Sequence, residues 1–331
     1  MLSANDLVGL YAIIPTPAKP GANRLDARDT VDLDETARLV NALIKDGISG
    51  LIALGTTGEC ATLSRSDYKA FASCVLETAD RRIPTFIGAS ALGGHEVAAR
   101  IKFIRERGAD GTLLGLPMWQ PVTTEMAVDF YKQVSDCFPD LAIMVYANTR
   151  AFRYSFPPEF WRAVSQTAPT VMSAKHSRAK NLPDLITSTI GRIHFVPNEM
   201  TVHDFYAQSP ATTRACWATA AAMGPAPAIA LMDAILRRDA GEIDRIAKEL
   251  AWANEPLKPI IGNPEIFASY NIQLEKIRIN EAGYCRCGPV RPPYDHTPAD
   301  YAAAAREGGR RWATLQQKYR AERRPKAVAH A

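Results

Sequence analysis

Lys175 stands in the run VMSAKHSR, residues 171–178, whose other early members read as apolar β-strand. An ammonium group is costly to bury without a partner. Two arrangements resolve the conflict: the stem lines a strand while the head reaches water or a distant carboxylate, or the site keeps the group as a neutral amine. Desolvation favours the neutral form and lowers a lysine pKa. From an ordinary value of about 10.4, a drop of ~3 units raises the neutral fraction at pH 7 several-hundredfold. A neutral amine attacks a carbonyl and condenses to a Schiff base.

Two other short segments carry compatible chemistry. GTTGE, Gly55 to Glu59, offers backbone N–H groups, two hydroxyls and the start of a helix, a combination that suits a carboxylate. It lacks the spacing and lysine of a P-loop, and the same five residues also describe an ordinary tight turn. VYANTR places Tyr146 and Asn148 at the end of another apolar run. The tyrosine is a proton shuttle if the hydroxyl of Thr56 or Thr57 lies within reach, and a packing residue otherwise.

Something must bring these segments together. Short apolar runs at residues 7–17, 50–57, 84–90, 110–117, 141–148, 170–177, 193–199 and 212–219 alternate with amphipathic segments in modules of about 30 residues. In 33–47 the apolar residues Leu33, Ala37, Leu39, Val40, Leu43 and Ile44 share a helical stripe, and Gly47 stops it. Ser64 caps the next helix, the third ends at Gly108, and a threonine caps the segment TEMAVDFYKQVSDCF. Strand–helix–strand order implies parallel pairing, and eight such units close into a (β/α)8 TIM barrel, an α/β fold. A doubly wound open sheet is the competing architecture, but the first strand is not followed by G-x-G-x-x-G. After residue 220 only helical patterns remain. The expected organisation is a barrel over 1–222, a C-terminal helical extension packed on it over 223–320, and a disordered basic tail over 321–331. In such a barrel, reactive groups gather at the carboxyl ends of the strands. All three segments lie at such ends, and alternation along 171–175 turns Lys175 inward with Val171 and Ser173.

Composition narrows the function classes. The 331 residues are 47% hydrophobic and 22% charged, with a formal net charge of +4, the pattern of a large soluble core. No run approaches the ~20 apolar residues that span a bilayer, and no secretory leader opens the chain, so a cytoplasmic protein without membrane contact is expected. No nucleic-acid motif accompanies the basic end. Six scattered cysteines in a chain this long are expected to be free thiols; Cys285 and Cys287, a lone C-x-C, read as packed thiols and not as a zinc site. Only six histidines, mostly isolated, argue against a metal-dependent barrel enzyme.

Taken jointly, GTTGE after the second strand, Tyr146 ending the fifth and Lys175 in the sixth resemble the dihydrodipicolinate synthase and N-acetylneuraminate lyase family of class I aldolases. Order and spacing match along residues 7–220, and the helical extension fits as well. The resemblance implies that Lys175 forms an imine with pyruvate or another 2-keto acid and that Tyr146 and Thr57 relay protons. It implies that Gly55, Thr56 and Thr57 hold the keto-acid carboxylate. It further implies a homotetramer that takes small-molecule substrates and needs neither metal nor organic cofactor.

Departures from the family pattern bear on the substrate. YANTRAF lacks the proline that usually follows the tyrosine, leaving Asn148 as an amide near the substrate carbonyl or hydroxyl. TRACWATAAAMG puts Trp217 at the end of the eighth strand, either as a wall of the site or as filling under the C-terminal helices. Trp119 and Phe152 follow strands four and five. Aromatic walls favour a flat apolar substrate. These features are similar to the branch that hydrates and cleaves arylidene pyruvates, giving an aromatic aldehyde and pyruvate in naphthalene and related aromatic hydrocarbon breakdown. Another pyruvate-dependent lyase, synthase or dehydratase of the family is the alternative.

Overall fold

The eight expected strands form one parallel sheet, in the computed structural model of the chain, which describes residues 1–323. They are β1 (Gly9–Ile13), β2 (Gly50–Ala53), β3 (Thr85–Gly88), β4 (Gly111–Leu114), β5 (Ala142–Tyr146), β6 (Val171–Lys175), β7 (His194–Val196) and β8 (Ala215–Ala218). Neighbours in sequence are neighbours in space, and β8 returns to pair with β1. The remaining seam between β7 and β8 is closed by the parallel bridge Asn198–Trp217. Two backbone bonds reinforce it, from Trp217 N to the Pro197 carbonyl at 2.9 Å and from Glu199 N to the Trp217 carbonyl at 3.1 Å. The sheet is therefore a barrel and not an open doubly wound sheet.

Helices α1 (Leu33–Asp46), α2 (Arg65–Ala79), α3 (Gly94–Glu106), α4 (Thr124–Cys137), α5 (Thr149–Phe152), α6 (Pro158–Thr167), α7 (Leu182–Ser188) and α8 (Val202–Gln208) connect the strands. Their ends follow local chemistry. Asp32 accepts the Glu35 amide to start α1, which Gly47 ends at φ 92°, a left-handed position glycine takes without strain. Ser64 and Thr123 accept amides at the starts of α2 and α4.

Beyond β8 come α9 (Ala226–Arg237), α10 (Ala240–Asn254), α11 (Lys258–Ile261), α12 (Pro264–Ala282) and α13 (Ala299–Arg323). α9 packs on β1 and β8, and α13 crosses α9, α10 and α12. Residues 321–323, expected to belong to a disordered basic tail, are part of α13. Leu315 and Tyr319 give that end of the helix a buried face, Tyr319 donates to Glu249 at 2.8 Å, and Arg323 donates to the Asp46 carbonyl. Residues 324–331 lie outside the described residues.

Among the described residues, no helix is long and apolar enough to cross a membrane. All six cysteines are free, and the buried Cys285 and Cys287 sulfurs stand 3.7 Å apart.

Candidate active site

Strand register brings Tyr146 and Lys175 side by side. They are direct partners across β5 and β6, and Lys175 in turn faces Val196 of β7. The pairing slips between Ile143 and Met144, so Ser173 and not Met172 stands opposite Met144. A bulge of this kind re-aims the residues beyond it. Lys175 Nζ lies 3.5 Å from the centre of the Trp217 ring and 4.6 Å from that of Tyr146. No carboxylate pairs with it among the described residues. Burial is the main influence on this amine and pulls its pKa below the ordinary lysine value, against the opposing pull of Tyr146 and the more distant Glu199 and Glu275.

Trp217 is fixed in place. Its indole N–H donates to the Val196 carbonyl at 3.0 Å, and its backbone closes the barrel seam. The ring thus lies over the amine, and Trp217 as a whole is 9% exposed. Trp119 behaves otherwise: the residue is 76% exposed. Phe152 also leaves the expected wall. It is buried, with its ring edge-on to Tyr146 at 5.3 Å, and so supports the tyrosine from behind.

The Gly-Thr-Thr turn meets the phenol. Thr56 Oγ1 and the Tyr146 hydroxyl are 2.8 Å apart, and the Asn148 amide nitrogen donates to the same hydroxyl at 3.3 Å. The relay threonine implied by the resemblance was Thr57. The threonine hydrogen-bonded to the tyrosine is instead Thr56. Thr57 is buried beside it, with its hydroxyl bonded to no protein group among the described residues. A Cβ at Gly55 would make ordinary van der Waals contact with Tyr146, 3.8 Å from the ring. Asn148 has a second task, accepting the Ala151 amide at 3.1 Å and capping α5.

The turn rests on a buried ionic cluster that the sequence did not signal. Glu59, Lys276 and Arg291 are each at most 2% exposed, and the first bonds to both cations. Lys276 sits among isoleucines on α12, where nothing in the local pattern points to a partner 217 positions away. Glu199, just past β7, is another buried carboxyl, raised by burial to a pKa of about 7. Its position after a strand end was the available signal. Among the described residues, no group of three His, Cys, Asp or Glu side chains is placed to hold a metal ion.

Arranged this way, the strand ends bring together an amine whose pKa burial lowers, two aromatic rings against it and a hydrogen-bonded tyrosine–threonine pair. Comparison with known proteins agrees. A trans-O-hydroxybenzylidenepyruvate hydratase-aldolase from Pseudomonas aeruginosa is 40% identical over 325 residues, 96% of each chain. A trans-2'-carboxybenzalpyruvate hydratase-aldolase from Nocardioides sp. (strain KP7) is 37% identical over 322 residues, again 96% of each. The solved structure described as "PhdJ bound to substrate intermediate" superposes with a TM-score of 0.92 at 36% identity, covering 96% of this chain and 99% of that one. The model of the dihydrodipicolinate synthetase family matches residues 21–190, and with relatives this similar over nearly the whole length, the chain belongs to that family.

Proposed function

We propose that the chain is a Schiff-base hydratase-aldolase that converts an arylidene pyruvate and water into an aromatic aldehyde and pyruvate. The substrate in this reading is trans-o-hydroxybenzylidenepyruvate or a ring-substituted relative, and the aldehyde from the former is salicylaldehyde. The observation that carries the reading is Lys175 Nζ, unpaired with any carboxylate among the described residues and lying against the Trp217 and Tyr146 rings. The names of the hydratase-aldolases similar along the full length support the substrate class.

The steps follow from that amine. Lys175 adds to the ketone carbon and water leaves, giving a protonated imine conjugated to the aryl alkene. The iminium draws electrons along the conjugated system, so water adds at the benzylic carbon and the adjacent carbon takes up a proton. Loss of the benzylic hydroxyl proton then breaks the carbon–carbon bond, releasing the aldehyde and sending the electron pair into an enamine. Protonation of the enamine carbon and hydrolysis of the imine release pyruvate and free Lys175. The nitrogen cation is the electron sink throughout.

In this scheme Tyr146, bonded to Thr56, moves the protons, and the turn Gly55–Thr57 receives the carboxylate. Asn148 orients the water or the ortho hydroxyl, and Trp217 stacks on the aryl group. The same proposal makes the protein a cytoplasmic homotetramer, whose subunit count sedimentation velocity would measure. Borohydride reduction with pyruvate, followed by peptide mass spectrometry, tests the central step. An adduct on Lys175 is expected; an adduct elsewhere, or none, defeats the reading. Release of aldehyde from an arylidene pyruvate separates it from a plain synthase or dehydratase.

A further inference from the structure

Glu59 closes the Gly-Thr-Thr turn in a left-handed backbone conformation, φ 54°, which residues with a Cβ seldom adopt. Its amide donates to the Thr56 carbonyl at 2.9 Å, so its placement sets that of the threonines. Gly58 beside it has no room for a side chain, since a Cβ would lie 2.8 Å from Leu54 N. The turn is also bonded to β1's extension, Thr16 donating to the Gly58 carbonyl at 2.7 Å.

What restrains Glu59 comes from more than 200 residues away. Lys276 Nζ on α12 donates to Oε2 at 2.8 Å and to the Pro289 carbonyl at 2.7 Å. The Arg291 amide donates to Oε1 at 2.8 Å, and its guanidinium bonds to Oε2. The same fork reaches Thr30 Oγ1 at 2.8 Å and the carbonyls of Thr16, Pro17 and Thr30 at 3.2, 3.3 and 3.2 Å. Thr30 is held in turn by Asp67 at 2.9 and 3.0 Å. Two buried anions and two buried cations thus balance beneath the mouth. Buried ion pairs contribute little net stability compared with apolar groups of the same shape, but they fix directions that apolar packing does not.

We propose that Lys276 and Arg291 are positioning residues for substrate: by gripping Glu59 they hold Thr56 and Thr57 where the keto-acid carboxylate binds. The chain beyond β8 thereby becomes part of the substrate site without touching substrate. This inference rests on the Schiff-base reading above.

The experiment measures pyruvate dependence of borohydride trapping, and kcat and KM for an arylidene pyruvate, in two variants. Glu59→Gln with Lys276→Met removes one anion and one cation together, so the net charge of the cluster is unchanged while Arg291 loses its carboxylate partner. Arg291→Lys keeps its charge but loses the fork, and serves alone if the double variant does not fold. For each folded variant, half-maximal trapping should need at least tenfold more pyruvate, with KM rising far more than kcat falls and the adduct still on Lys175. Unchanged half-saturation in a folded variant overturns the positioning role while leaving the Schiff-base reading intact. Absence of any adduct in the unaltered protein overturns that reading and the inference with it.

Discussion

The Lys175 amine and the face of the Trp217 ring stand 3.5 Å apart, with the indole held by its own bond to the Val196 carbonyl. A carboxylate in that position would hold the lysine as ammonium. An aromatic face attracts a cation by about 0.5–2 kcal/mol, which favours the iminium once formed, while burial lowers the pKa of the free amine. It also presents a flat surface to an aryl group. Trp217→Leu should therefore raise KM for an arylidene pyruvate about tenfold or more, and raise the pyruvate concentration for half-maximal trapping by a smaller factor. Equal increases would return Trp217 to a packing role.

Thr56 and Tyr146 share one hydrogen bond, so their contributions should not add. Tyr146→Phe should lower kcat by about 10²–10⁴-fold. Thr56→Val should lower it in the same direction, and the double variant should be little worse than Tyr146→Phe alone. Thr57→Val should act mainly on KM. A double-mutant cycle in kcat checks the pairing, and full additivity would show that the bond carries no proton.

Asn148 both caps α5 and donates to the phenol, and the two tasks separate by substitution. Asn148→Asp keeps the cap oxygen and loses the donor; it should unfold at the same denaturant concentration as the unaltered protein while its aldehyde release falls. Asn148→Ala loses both and should cost about 1 kcal/mol of stability. An active Asn148→Asp enzyme would confine this residue to the helix end.

Phe152 fills the space above Gly115, where a Cβ would lie 1.9 Å from its ring, and the same ring meets Tyr146 edge-on. Gly115→Ala should push the stack outward at a cost of about 1–3 kcal/mol and reduce kcat through the displaced phenol. Chemical denaturation and steady-state rates measure the two effects. A stability loss with an unchanged rate would show that Tyr146 does not depend on this support.

Two groups give the protein a pH signature. Burial lowers the Lys175 pKa, so imine formation with pyruvate should rise with pH and level off below 10.5. Glu199 moves the other way, raised to about 7 by burial, with Glu275 adding to the rise and Arg278 and nearby amides opposing it. The folded chain thus holds this proton above the pH where the unfolded chain releases it. The resulting stabilisation is complete below about 4.5 and lost as pH rises through about 7. From pH 4 to 8, Glu199→Gln should gain on the unaltered protein by up to about 3 kcal/mol in denaturant titrations. A constant difference would mean that Glu199 is not the group responsible.

The strand and helix order was legible because it depends on local matters: alternating apolar runs, the caps Ser64 and Thr123, and the left-handed stop at Gly47. The placement of Lys175, Tyr146 and the Gly-Thr-Thr turn at strand ends was legible too, and a barrel gathers its strand ends at one face. Pairing between them was not. Which threonine meets the phenol depends on the turn's backbone angles, and whether Trp217 covers the amine or fills the core depends on closure of the β7–β8 seam. Phe152 and Trp119 read alike as aromatics after strands, but only packing put one behind Tyr146 and the other in solvent. The grip of Lys276 and Arg291 on Glu59 left no trace in local pattern, because an ionic contact across more than 200 residues requires only complementary charge at the distance the folded chain supplies. Sequence determined which groups this protein owns and at which end of the barrel they stand; tertiary structure alone decided their partners, because hydrogen bonds and ion pairs are set by ångström distances between segments that the chain order does not encode.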